Sequence, residues 1–202
     1  MIVAGAATFV LLLPYATFTP VLPLLILILL SSLTSAFKVR FPIASGTNMT
    51  VSYVVDIAAL ILRGPHATMI VGAVSGWTQS TLNAKEPNPT YRTLFNMSIL
   101  VITIQASGQV FHVLGGSPTG DLASTVVPLA GMALTYFIVN TVPIAIAISL
   151  TTNQNAWQIW KGDFASSFPS YLLGAIAAAV IIAVTQTSGY WLAELAVPQR
   201  AS

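Results

Sequence analysis

The stretch VSYVVDIAALILRGPHATMIVGAVSGWTQS, residues 51–80, decides how this chain is built. Residues 51–62 form an apolar run holding one ionisable side chain, Asp56, and the run is too short for a free helix to cross a hydrocarbon layer, which takes about 20 residues. Arg63, Gly64 and Pro65 then oppose continuation of the helix. A second run, residues 66–82, begins at His66 and turns polar toward its end. The reading is two segments joined by a turn: a half-length or buried helix carrying Asp56, then a longer one in which Gly72 and Gly76 permit close approach of a neighbour.

Working outward, the same apolar character recurs along the whole chain. Residues 2–18 follow Met1 with no basic leader region and no small-residue cleavage pattern, so they read as a span rather than a signal peptide. Residues 21–37 are nearly pure Leu and Ile, end at Lys38 and Arg40, and predict a lipid-facing helix. The following FPIASGTNMT, residues 41–50, contains Pro42 and Gly46 and predicts a short extended piece or hairpin. Further segments cover residues 91–114, 124–150 and 168–187. Between the last two, TTNQNAWQIWKGDFASS places Trp157, Trp160 and Lys161 in an interfacial amphipathic piece. Residues 190–197 are too short to span alone, and either a tail or a truncated eighth helix fits them.

In a chain of 202 residues, 55% hydrophobic and 6% charged with mean hydropathy +0.84, no soluble domain is left over. Soluble domains carry roughly a quarter of their residues charged. The fold class is therefore all-α, a polytopic transmembrane helical bundle, and residues 1–202 form a single integral membrane domain. A net charge of +2 gives no reason to expect nucleic acid, and the absence of cysteine removes thiolate chemistry.

An ionisable group at bilayer depth is costly and is a functional candidate by default. Asp56 is that group, with Arg63 or the polar face of residues 91–114 as its expected partner; the alternative is a capping or pairing role near an interface. The second candidate set is the amides Gln79, Asn96, Gln105, Gln109 and Asn140, with Trp77 and Tyr136 as apolar walls of a polar pocket. Gln105, Gln109 and His112 fall on one helix face, while Asn96, Thr103 and Ser107 define another, which predicts a helix surrounded by protein. The alternative for the amides is interhelical hydrogen bonding without a ligand.

His66 and His112 fall at the same membrane face and could ligate a haem or a chlorin, or make ordinary interfacial hydrogen bonds. There is no HExxH, no carboxylate cluster, no GxSxG and no lysine central in a span, so hydrolase and Schiff-base chemistries find no signature. No enzyme activity, cofactor or metal is expected.

Residues 51–80, with YRTLFNMS (91–98), Gly115-Gly116, YFIVNT (136–141) and FPSYLLG (168–174), resemble two families. The pattern is similar to the substrate-binding S-component of energy-coupling-factor transporters. It resembles more closely the multi-span N-terminal domains of bacterial HD-GYP and GGDEF signalling proteins. The resemblance covers about residues 38–197, with residues 2–37 forming two N-terminal spans. It implies an S-component-like core of six helices preceded by one extra. A loop at residues 41–50 would cover a pocket approached by Asp56, Gln79, Asn96 and Asn140.

On that resemblance the chain is a non-catalytic input domain of a bacterial inner membrane, binding a small molecule or lipid. The chain stops at PQRAS without an output domain, so it would signal to a partner domain or chain, unless it is a fragment. A substrate-binding transport subunit served by an ATPase partner is the second reading. An accessory subunit of a pigment or electron-transfer complex is the third. Alternating seven spans places Lys38, Arg40, Lys85, Arg92 and Lys161 on the Met1 side against Arg63 and Arg200, which favours a cytoplasmic Met1 side. The S-component analogy implies the opposite orientation.

Overall fold

At Gly64 the quoted stretch turns back on itself. The computed structural model describes residues 1–36, 38–40, 48–50, 52–82, 88–117 and 122–188. Helix α3, Ser52–Thr81, is interrupted at Gly64 by φ 74° and ψ 172°, a backbone conformation open essentially to glycine alone. A continuous helix would hold Ser52 and Gln79 about 40 Å apart at a rise of 1.5 Å per residue. Instead Gln79 Nε2 donates to Ser52 Oγ at 3.2 Å. The helix is thus a hairpin of two antiparallel arms, α3a (52–63) and α3b (65–81), as the Arg-Gly-Pro turn predicts.

Around this hairpin lie α1, Ile2–Leu12, which tightens into a 3-10 turn over Leu13–Tyr15, and α2, Val21–Ala36. They are followed by α4, Thr90–Val113, and α5, Leu122–Thr152. A surface turn then leads through the short α6, Ala156–Ile159, to α7, Phe168–Ser188. Apart from helix, the described residues contain one antiparallel ribbon, in which β1, Lys38–Arg40, pairs with β2, Asn48–Thr50, with Val39 opposite Met49. Residues 41–47 of the expected hairpin, and the 190–197 segment, lie outside the described residues.

Individual bonds fix the directions of the helices. Ser35 on α2 meets Ser75 on α3b, while Arg63, at the turn, reaches the carbonyl of Pro20 before α2 begins. So α2 runs antiparallel to α3a and parallel to α3b. Asn96 bonds the Gly76 carbonyl and Gln105 the Pro65 carbonyl, which sets α4 antiparallel to α3b. Ser98 on α4 bonds Ile2, and Tyr15 stands 6.1 Å from His66, so α1 lies along α4 in the same direction. With α5 and α7 closing the bundle against Asp56 and Tyr53, seven apolar segments alternate in direction among the described residues.

Among the described residues four helices have the length and composition of membrane spans, and the bend at Gly64 folds one of them into two shorter arms. The chain is an integral membrane protein built as an all-helical bundle.

The core follows from this arrangement. Ile57, Met69, Ile104 and Met132 are fully buried where α3, α4 and α5 meet. On α2 the residues Leu25, Leu29 and Leu33 are exposed, while Leu24, Ser31 and Ser35 are buried. An apolar row therefore faces lipid and a narrow polar row faces protein. A Cβ placed on Gly76 would lie 2.9 Å from the Met97 backbone, and one on Gly72 would collide with the Ile104 side chain. Both glycines thus set the close approach of α3b to α4. Polar ends flank the bundle: Lys38, Arg40, Arg92 and Lys161 stand on elements at the Met1 end, whereas Arg63, His66 and His112 stand at the Gly64 end.

Candidate functional site

Asp56 sits two turns before the Gly64 bend, about 12 Å from it along α3a. Its side chain is fully buried. Tyr136 of α5 donates to Oδ2 at 2.8 Å, and Ser31 of α2 donates to Oδ1 at 3.1 Å. One carboxyl group therefore joins three helices remote in sequence. Arg63, expected as a partner, instead donates to the carbonyls of Pro20 at 3.0 Å and Thr17 at 3.4 Å. The reason is depth: seven residues beyond Asp56, Arg63 has reached the end of the bundle, where its guanidinium satisfies the chain reversal before α2 rather than a mid-layer acid. The other expected partner, the polar face of α4, is likewise replaced by α2 and α5.

Around this node lies an aromatic cluster. The Tyr53 and Tyr171 rings lie 4.8 Å apart, tilted at 42°, and each lies 6.1 Å from the Tyr136 ring. The Tyr53 hydroxyl donates to the carbonyls of Ser170 and Tyr171, and Asn140 Nδ2 donates to the Tyr171 hydroxyl at 3.2 Å. Tyr136 is consequently a polar partner of Asp56 and not an apolar wall. Toward the Met1 end the polar row continues through Ser35, Ser75, Gln79 and Ser52, with Ser35 and Ser75 oxygens 2.6 Å apart and Gln79 donating to Ser75 at 3.1 Å.

The sequence-nominated residues thus fall into three groups. Asp56, Tyr136 and Asn140 meet at the node directly or through Tyr171, and Gln79 extends the same row. Asn96 and Gln105 belong to the α3b–α4 seam. Asn96 bonds Gly76 and Ser80, whereas Gln105 bonds Pro65 at 3.1 Å and Met69 sulfur at 3.3 Å. Trp77 and Gln109 are exposed on the bundle's outer surface and join neither group. The expected stripe Gln105, Gln109, His112 is split: Gln105 is buried against α3b while Gln109 and His112 are exposed, and Thr103, Ser107 and Phe111 on the other faces stay buried.

Sequence reading missed Ser31, Ser35, Ser75, Tyr53 and Tyr171. Ser31 and Ser35 had a signal, an i, i+4 hydroxyl pair in an otherwise Leu and Ile helix.

Two clefts accompany the site without touching Asp56. One, of about 480 Å³, opens at the Met1 end between α1, α4 and α5 and is lined by Ile2, Arg92, Phe95, Asn96, Ile144 and Ile148 among others. The second, of about 390 Å³, lies between α5 and the Trp157 and Trp160 segment. Those two indoles stack at 5.3 Å, and Trp160 Nε1 donates to Thr141 at 2.9 Å.

A bundle of this kind, with one buried acid tied to hydroxyls from two other helices, belongs among polytopic membrane domains. A profile of the MASE9 family matches residues 10–192, and the chain belongs to that family of membrane-associated sensory domains. Searches of curated proteins and of solved structures returned no match. The family match bears out the sensory membrane reading; it does not itself show a similarity to energy-coupling-factor transporters or to HD-GYP proteins.

Proposed function

We propose that this chain is the non-catalytic input domain of a bacterial inner-membrane signalling system, that it binds a small molecule or lipid, and that occupancy is passed to a partner domain or chain. The observation that carries the proposal is the Asp56 node. A mid-layer carboxyl costs about 2.5–3.5 kcal/mol to place at the centre of a membrane helix, and here its two oxygens are spent on α2 and α5. A ligand that competes for either bond would release α2 or α5 from Asp56, and on this reading the joint is the two-state element a sensor needs. The excess of basic residues at the Met1 end orients that end toward the cytoplasm.

The test measures thermal unfolding of the purified chain in micelles against membrane-lipid extracts and polar small-molecule fractions. A bound ligand at 100 times its Kd stabilises by about 2.7 kcal/mol. The expected result is a fraction that raises the Tm of the wild type and, with a spin-label pair across α2 and α5, alters their separation. A chain that responds to no fraction, or that binds without any change in that separation, overturns the proposal.

A further inference from the structure

The polar node leaves the 480 Å³ cleft between α1, α4 and α5 unused, and its chemistry is of a different kind. Its walls, Phe95, Ile144, Ala147 and Ile148, are apolar, and its volume falls within the range of ligand pockets, about 300–1,000 Å³. Among the described residues one cation lines it, Arg92, in the first turn of α4. The guanidinium lies 5.9 Å from the Tyr91 ring centroid and its Nε donates to the Tyr91 hydroxyl at 3.3 Å. No acidic side chain pairs with it among the described residues. Arg92 is therefore an exposed cation with no acidic partner among the described residues, beside an apolar slot at the Met1 end of the bundle.

We propose that this cleft holds an acidic phospholipid of the surrounding leaflet, one acyl chain lying against Phe95, Ile144 and Ile148 and the headgroup phosphate on Arg92. The inference rests on the sensory reading in one respect, naming a lipid as the class of ligand. Charge complementarity selects an anionic lipid over a zwitterionic one, with the Arg92 guanidinium held beside the Tyr91 ring at the cleft. A free phosphate or a soluble anion would leave the apolar slot unfilled.

The test uses a photoreactive phosphatidylglycerol in phosphatidylcholine vesicles containing the full chain, with adducts mapped by mass spectrometry. Adducts are expected on Phe95, Ile144 or Ile148, competed by unlabelled phosphatidylglycerol and not by added phosphatidylcholine or inorganic phosphate. Arg92→Gln should lower this labelling about fivefold, the attraction one arginine contributes at an anionic surface, and Arg92→Lys should retain most of it. Ala147→Trp should block labelling with Arg92 intact, and unchanged labelling of α2 in each variant shows that the fold persists. Labelling spread evenly over the lipid-facing helices, or unaffected by Arg92→Gln, overturns the proposal. Specific labelling without a change in the α2–α5 separation leaves the lipid site standing and removes the sensory reading. A separation that responds to another ligand, with no specific labelling, does the reverse.

Discussion

Tyr136 donates its hydroxyl to Asp56 across 80 residues of sequence, at 2.8 Å and with both side chains buried. Removing the hydroxyl with Tyr136→Phe leaves the ring packed against Tyr53 and Tyr171 and costs the chain one hydrogen bond. The expected loss is about 1 kcal/mol in reversible unfolding in mixed micelles. A double-mutant cycle with Asp56→Asn should return a coupling between about 0.6 and 1.7 kcal/mol, the range of such bonds between membrane helices. Independent, additive effects would show that the two groups do not act on one another.

Gly64 carries the reversal of α3 in a conformation that a Cβ strains, although no neighbouring atom lies within 4 Å of that Cβ position. Gly64→Ala should therefore destabilise through the backbone alone, by about 1–3 kcal/mol. Gly162 has equal space but no positive φ, so Gly162→Ala should leave the unfolding midpoint where it is. Equal midpoints for the two variants would argue against a strained turn.

The seam between α3b and α4 predicts a size effect. Gly76→Val must push the Met97 backbone away, and overpacking of this kind costs about 1–3 kcal/mol. A parallel loss of Asn96 contacts to Gly76 and Ser80 should appear as faster amide exchange in both helices. Wild-type exchange rates in the variant would place the seam elsewhere.

Gln105 and Gln109 are one helical turn apart and have opposite surroundings. Gln105→Leu removes the donor to the Pro65 carbonyl and should lower stability by about 1–2 kcal/mol. Gln109→Leu replaces an amide exposed on the bundle's outer surface and should be neutral or stabilising. Thermal melts of the two variants side by side check the pair, and a destabilising Gln109→Leu would mean that the amide has a partner on the bundle.

The chain contains no cysteine, which makes cross-linking unambiguous. Ser35→Cys with Ser75→Cys should form a disulfide on mild oxidation, since their hydroxyl oxygens are 2.6 Å apart. Ser52→Cys with Gln79→Cys should be joined by a short bis-maleimide, since the folded-back hairpin brings the Gln79 amide to Ser52 and the reagent replaces the length of the lost side chain. If α3 were one straight rod, the second pair would stay unlinked.

What the sequence by itself determined was the membrane setting, the helical class, the order of segments and the reversal at Arg63-Gly64-Pro65. Each of these follows from local physics. Apolar run length sets spans, glycine and proline end helices, and a lone acid within such a run draws notice because burying its charge is expensive. Tertiary structure alone decided which groups that acid meets. Ser31 and Tyr136 are distant from Asp56 in sequence, and helical periodicity assigns a side chain to a face without saying which helix covers it. The same limit explains Trp77 and Gln109, polar or aromatic by composition yet turned outward, because only the packed neighbours of α3b and α4 determine where those faces stop being buried.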